Sequence, residues 1–262
     1  MFAICESAFC AYDSPSSGAN LSNFYRRHPR IQYVAISVFQ RRRESLPKIS
    51  TIYHGIDFSR YKLGQGARPY LSFLGRIAPI KGTHLAIAVA QRAGIPLKIA
   101  GEIQPVFRSY FETHVKPHID GKFIEYVGVA DVAAKNELLG NSLAMLFPIQ
   151  WDEPFGLVLI ESMACGAPVL ALPGGSVSEV VCAGVSGYVC HSIEELASRA
   201  AHLTLRPVAI RQYAEERFSF HRMANQYYRL YEGMLGGTDS LAAKRKTPSA
   251  IAESCDHPQV RV

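Results

Sequence analysis

The sequence predicts an α/β fold in which a parallel sheet carries helices on both faces. Three observations point there. From residue 33 onward, short runs of β-branched and aromatic residues alternate with amphipathic stretches of helical length. Hydrophobic residues make up 48% of the 262 and charged residues 19%, enough to bury one or two sizeable cores and too few charges for a disordered chain. Glycine- and charge-bearing loops follow the carboxyl ends of the predicted strands, where an open parallel sheet places its ligands.

The strands are read at 33–36, 49–53, 70–74, 97–100, 123–127, 144–148, 168–171 and 187–189. Helices fill 82–93, 106–115, 132–139, 156–165, 177–183 and 193–203. Two more follow the last strand, at 208–216 and 221–235, the second with Tyr227, Tyr228 and Tyr231 spaced to line one face, read as core packing. The first 32 residues read as irregular, with Ser14-Pro15-Ser16-Ser17-Gly18 marking a loop. Residues 33–205 are thus the sheet-bearing domain, 206–236 its C-terminal helices and 237–262 a disordered tail.

The charge pattern narrows the function classes. A formal charge of +6 gathers in Arg26-Arg27-His28-Pro29-Arg30, Arg41-Arg42-Arg43 and Lys244-Arg245-Lys246, runs that read as solvated faces. No aromatics interleave them as single-strand binding requires, so no nucleic-acid partner is expected. The longest apolar candidate, 156–172, is broken by Glu161 and Ser162 short of the ~18 residues of a membrane span. The start carries Glu6 and no basic leader, unlike a secretory signal, so the expected compartment is the cytoplasm, with the basic runs suited to a peripheral contact at an anionic inner membrane face. Cys5, Cys10, Cys165, Cys182, Cys190 and Cys255 form no C-x-x-C pair and are read as reduced. The nine histidines include no H-E-x-x-H motif, so no metal is expected.

Two loops carry the candidate chemistry. After strand 70–74 comes Gly75-Arg76-Ile77-Ala78-Pro79-Ile80-Lys81-Gly82, where Gly75 allows close backbone approach. Arg76 as a planar fork and Lys81 as a point charge could grip a diphosphate. After strand 144–148 comes Trp151-Asp152-Glu153-Pro154-Phe155-Gly156-Leu157, opening the helix that carries Glu161. A helix start exposes unpaired N–H groups suited to phosphate oxygens. Glu153 lies just outside that helix and complements its dipole or holds sugar hydroxyls. Glu161 is isolated among Leu157, Val158, Leu159, Ile160, Met163, Ala164 and Cys165, and a carboxylate in such surroundings needs a partner or a ligand. Two further turns face the same rim: Tyr126-Val127-Gly128-Val129, whose backbone could bond a nucleobase edge, and Gly174-Gly175. His54-Gly55-Ile56-Asp57 reads as a structural turn.

In order, Val34-Ala35-Ile36-Ser37, His54-Gly55-Ile56-Asp57, Gly75-Arg76 with Lys81-Gly82, Glu153-Pro154-Phe155-Gly156-Leu157 through Glu161, Met163-Ala164-Cys165-Gly166-Ala167-Pro168-Val169 and Gly187-Tyr188-Val189 resemble the GT-B retaining glycosyltransferases of the GT4 type over about residues 31–235. The resemblance implies a Rossmann-like sheet, the C-terminal half of a GT-B fold, with residues 1–32 a remnant of the N-terminal acceptor domain. It implies that Arg76 and Lys81 neutralise the diphosphate of a UDP- or GDP-linked donor as it leaves. By the same likeness Glu153 holds donor-sugar hydroxyls, backbone N–H groups at Phe155, Gly156 and Leu157 meet sugar or phosphate oxygens, and Glu161 grips the ribose. The family usually works without a metal or other cofactor.

The expected function is transfer of a hexosyl group, with retention, from a nucleotide-diphosphate sugar to an unknown acceptor. The acceptor half has no counterpart in residues 1–30, so the expected activity of this chain alone is weak, with a separate acceptor domain as a partner. The alternative is a non-catalytic nucleotide-sugar-binding or partner-binding module.

Overall fold

The computed structural model describes residues 2–4, 27, 31–44, 46 and 48–235. The tail at 237–262, most of 1–32, and Cys5, Cys10 and Cys255 lie outside the described residues.

Among the described residues nine strands form two parallel sheets. In the first, β1 (Phe2–Ile4), β2 (Gln32–Ala35) and β3 (Ile49–Thr51) pair in chain order. The second holds β4 (Tyr70–Leu74), β5 (Leu97–Ala100), β6 (Ile124–Gly128), β7 (Ser142–Phe147), β8 (Val169–Ala171) and β9 (Gly187–Val189) in the order β6-β5-β4-β7-β8-β9. That is the doubly wound order of a Rossmann-like half. One sequence expectation is corrected here. The strands read at 33–36 and 49–53 do not join the sheet of 70–189: they pair with each other, and the first also pairs with Phe2–Ile4, inside the segment read as irregular. Strand-forming residues show that a strand exists, while its partner is set by contacts distant in sequence.

The central strand β4 is buried along its whole length, as a parallel strand covered on both faces must be. Tyr70 and Leu74 face one core, where α3 (Val132–Gly140), α4 (Leu157–Ala164), α5 (Val177–Val180) and α7 (Pro207–Phe218) contribute Leu138, Met163, Val180 and Phe218. Leu71 and Phe73 face the other, built with Ile87 of α2 (Thr83–Ala93) and Leu196 of α6 (Ile193–Ala201). Side-chain oxygens of Asp131 and Ser192 cap α3 and α6, and Pro207 opens α7 where its missing N–H costs nothing.

Three local expectations change. The helix read at 106–115 is a path of short helical turns running on to His118, with a π turn at Phe111–Val115 that stops before Pro117, which has no N–H to continue it. A short helix, α1 (Val38–Arg43), was not anticipated. The tyrosine stripe lies on α8 (Phe220–Met234), which has no buried residue: Tyr228 is 61% exposed, so the stripe is not core packing. Periodicity shows which residues share a helix face, not whether anything covers it.

Cys165 and Cys190 are free and buried, but Cys182 is disulfide-bonded, which corrects the reading of uniformly reduced cysteines. Among the described residues no helix is long and apolar enough to cross a membrane.

Candidate functional site

The chain leaves β4 toward β5 on one side, and β7 stands on the other, so the connections diverge between β4 and β7 and leave a crevice at their carboxyl ends. The loops 75–82 and 148–156 form its two lips. They meet because Gly82, at φ +72°, has no side chain: a Cβ there would sit 1.9 Å from the Pro148 carbonyl oxygen. Gln150 N–H then donates to the Ile80 carbonyl at 2.9 Å.

This closure brings Lys81 and Glu153 into direct contact. Lys81 Nζ donates to Glu153 Oε2 at 2.5 Å, with side-chain exposures of 15% and 11%. The same ammonium lies 4.6 Å from the centroid of the Trp151 ring, and Trp151 Nε1 donates to Glu153 Oε2 at 3.1 Å. The backbone of Glu153 is fixed from the turn after β8. Ser176 N–H and Ser176 Oγ both donate to its carbonyl, and Gly175, at φ +60°, is where a Cβ would strike Glu153 backbone atoms.

Helix α4 starts at Leu157 after Gly156, whose φ of +83° turns the chain into it. The Phe155 ring is core, edge-on to His54 at 5.3 Å and to Phe218 at 5.8 Å. Leu157, first in the helix, has an N–H with no intrahelical acceptor and is 46% exposed.

Glu161 sits in the second turn of α4 and is 7% exposed. Its partners come from the chain itself: Lys135 Nζ donates to Oε1 at 2.8 Å and Oε2 at 3.0 Å, and the Tyr61 hydroxyl donates to Oε1 at 2.8 Å. Burial, then the bond to Glu161, pushes the Tyr61 phenol upward, which keeps it a donor. Arg211 of α7 closes the far end of the helix, donating to the carbonyls of Ala164, Tyr61 and Phe58 where the dipole is negative.

The other predicted residues line the same edge without touching this pair. Arg76 is exposed, its nearest hydrogen-bond partner Gln104 at 3.5 Å. Gly75 N–H donates to the Ala100 carbonyl, and the Gly75 carbonyl packs against Gly101, where a Cβ would come within 1.7 Å. Val127 is 41% exposed in a register shift of β6: Ile99 pairs with Tyr126 and Ala100 with Gly128, which leaves Val127 between partners. His54-Gly55-Ile56-Asp57 holds the α7–α8 break, with backbone bonds between Ile56 and both Phe218 and Phe220. Among the described residues no three His, Cys, Asp or Glu side chains form a metal-binding group.

Sequence reasoning did not single out Trp151, Lys135, Tyr61 or Glu179. Lys135 had a signal, since the isolation of Glu161 called for a partner or a ligand, but nothing in the sequence said which. Glu179 of α5 accepts from the N–H groups of Val38 at 2.8 Å and Phe39 at 2.5 Å and from the Tyr53 hydroxyl at 2.9 Å. Arg43, at the other end of the same helix α1, donates to Asp152 at 2.6 Å. The segment between β2 and β3 is thereby anchored to α5 and to the loop that carries Glu153.

The family described as glycosyl transferases group 1 matches residues 56–217. A glycogen synthase of Mycobacterium tuberculosis is 32% identical over 155 residues, 55% of this chain and 36% of its own length. Spore coat protein SA of Bacillus subtilis is 22% identical over 239 residues, 76% of this chain and 63% of its own. The structure of Anabaena Alr3699/HepE, solved in complex with UDP and glucose, superposes with a TM-score of 0.75 at 18% identity, covering 88% of this chain and 71% of that one. The chain spans 36 to 63% of the length of these two curated relatives.

Proposed function

The chain belongs to the glycosyl transferases group 1 family, and from that membership we propose that it binds a nucleotide-diphosphate sugar in the β4/β7 crevice and transfers the hexosyl group, with retention, to an acceptor. The observation that carries the proposal is the contact between Lys81 and Glu153 across the two lips.

When the sugar–phosphate bond breaks, negative charge grows on the departing diphosphate. Fixed cations stabilise that charge best where water is largely excluded. Lys81, 15% exposed in its side chain, meets that condition; Arg76, at the exposed rim, supplies the planar fork. Glu153 accepts hydroxyls of the donor sugar, and the open N–H groups at the start of α4 take sugar or phosphate oxygens. Glu161 receives the ribose while Lys135 and Tyr61 hold it. The exposed backbone at Val127 lies at the rim for the nucleobase, uracil or guanine.

A second reading keeps binding and drops turnover: a nucleotide-sugar-binding module. The three-stranded sheet supports assigning residues 2–51 to an acceptor-side unit.

Isothermal titration with UDP-glucose and GDP-mannose tests the site. Lys81→Ala, Arg76→Ala and Glu161→Gln should each weaken the binding ligand by about tenfold or more, the worth of one charge-assisted hydrogen bond. The exposed Lys122→Ala serves as control. Equal affinities across all four variants would sink the assignment. Release of UDP or GDP from the bound donor separates transfer from binding alone, and the anomer first released, read by proton NMR, reports retention.

A further inference from the structure

We propose that Trp151 is a positioning residue of this site, parking Lys81 over its ring and orienting Glu153 through its N–H, so that an arriving diphosphate draws Lys81 off and frees the carboxylate for sugar hydroxyls. This rests on the nucleotide-sugar reading above and goes beyond it.

The geometry is a closed triangle. Lys81 Nζ and Trp151 Nε1 converge on a single oxygen, Glu153 Oε2, at 2.5 and 3.1 Å, while the ammonium lies 4.6 Å from the centre of the indole. Among the described residues Glu153 Oε1 accepts no hydrogen bond. The triangle is held from behind: a Cβ on Gly174 would come 2.5 Å from the Trp151 carbonyl oxygen, and Gly175 and Ser176 pack on Glu153.

The two functions of the indole are separable. Its face attracts the ammonium, a contact strengthened by partial burial. Its N–H is a donor only, and it remains on the carboxylate when Lys81 departs. A lysine bound by one carboxylate and one ring still has ammonium hydrogens to offer, so diphosphate oxygens can compete for it. Glu153, losing that cation, keeps its direction because Trp151 still holds Oε2.

Trp151 is the only tryptophan in the chain, which makes it a reporter of its own role. Saturating the full chain with UDP or GDP should shift or quench tryptophan emission as the ammonium leaves the ring. In Lys81→Met the ligand-free emission should already be altered, and nucleotide should change it no further. Trp151→Phe keeps a ring and removes the N–H. It should leave affinity for the free nucleoside diphosphate within about twofold and lower affinity for the matching nucleotide sugar by about tenfold, one charge-assisted hydrogen bond. A purely structural role would weaken both ligands together.

UDP with UDP-glucose and GDP with GDP-mannose serve as probes, binding being measured independently by calorimetry. Nucleotide binding with unchanged emission, or a Trp151→Phe variant that affects both ligands equally, overturns the role given to Trp151 and leaves the nucleotide-sugar reading standing. Calorimetry showing that the wild-type chain binds neither pair overturns both.

Discussion

Lys135 donates to both carboxylate oxygens of Glu161, joining the helix before β7 to the helix after it at the floor of the site. Both side chains are largely buried, at 23% and 10% exposure. Removing one partner therefore leaves a charge without compensation, while removing both need not. Lys135→Met should lower the unfolding free energy by about 2–4 kcal/mol, and Lys135→Met with Glu161→Leu should recover part of that loss. Urea denaturation checks both; a double variant no more stable than the single one would contradict the account.

Glu179 stabilises by a similar logic at the contact between the sheets. Glu179→Ala strands two backbone N–H groups and the Tyr53 hydroxyl, and should cost about 1–3 kcal/mol. Hydrogen exchange should quicken first at Val38 and Phe39. If exchange rises uniformly instead, Glu179 is not a local anchor.

Two glycines with the same backbone twist should respond differently to alanine. Gly82 and Gly94 have φ of +72° and +66°, but a Cβ at Gly94 meets nothing within 4 Å, whereas at Gly82 it meets the Pro148 carbonyl. Gly94→Ala should cost about 1–2 kcal/mol, the left-handed penalty alone. Gly82→Ala should cost more and also weaken nucleotide-sugar binding, because it pushes apart the loops that bring Lys81 to Glu153. Thermal unfolding and calorimetry separate the two effects.

Alkaline pH should destabilise the fold. Burial pushes the Cys165 thiol from 9.0 up to about 12 and the Cys190 thiol up to about 11, and the Tyr70 phenol from 10.0 up to about 12. Each group holds its proton more tightly folded than unfolded. Its stabilising contribution is therefore complete below about pH 9 and is lost as pH rises through 11 to 12. The urea midpoint should hold up to about pH 9 and fall beyond it. In the native protein at pH 8, Cys165 and Cys190 should resist alkylation and react only after unfolding.

Much of this molecule was legible in one dimension. The alternation of β-branched runs with helical stretches predicted eight strands, six of which form one parallel sheet, with the loops after β4 and β7 at the carboxyl ends of its two central strands. The demand of Glu161 for a partner followed from seven apolar neighbours in its own helix. Such features are local, set by side-chain periodicity and by the cost of burying charge.

What stayed illegible depends on contacts between distant segments. The strands at 32–35 and 49–51 look like their successors, yet they pair with each other, and the first with Phe2–Ile4, in a separate sheet, because strand propensity does not name a partner. The helix α8 is amphipathic in sequence, yet none of its residues is buried. Within the site, the sequence by itself determined that Lys81, Glu153 and Glu161 would stand at the rim or in the helix behind it. Only the tertiary structure decided that Lys81 meets Glu153 and Trp151 while Glu161 meets Lys135 and Tyr61. Those pairings follow from how closely two glycine-bearing loops and two helices approach, a distance that no run of neighbouring residues encodes.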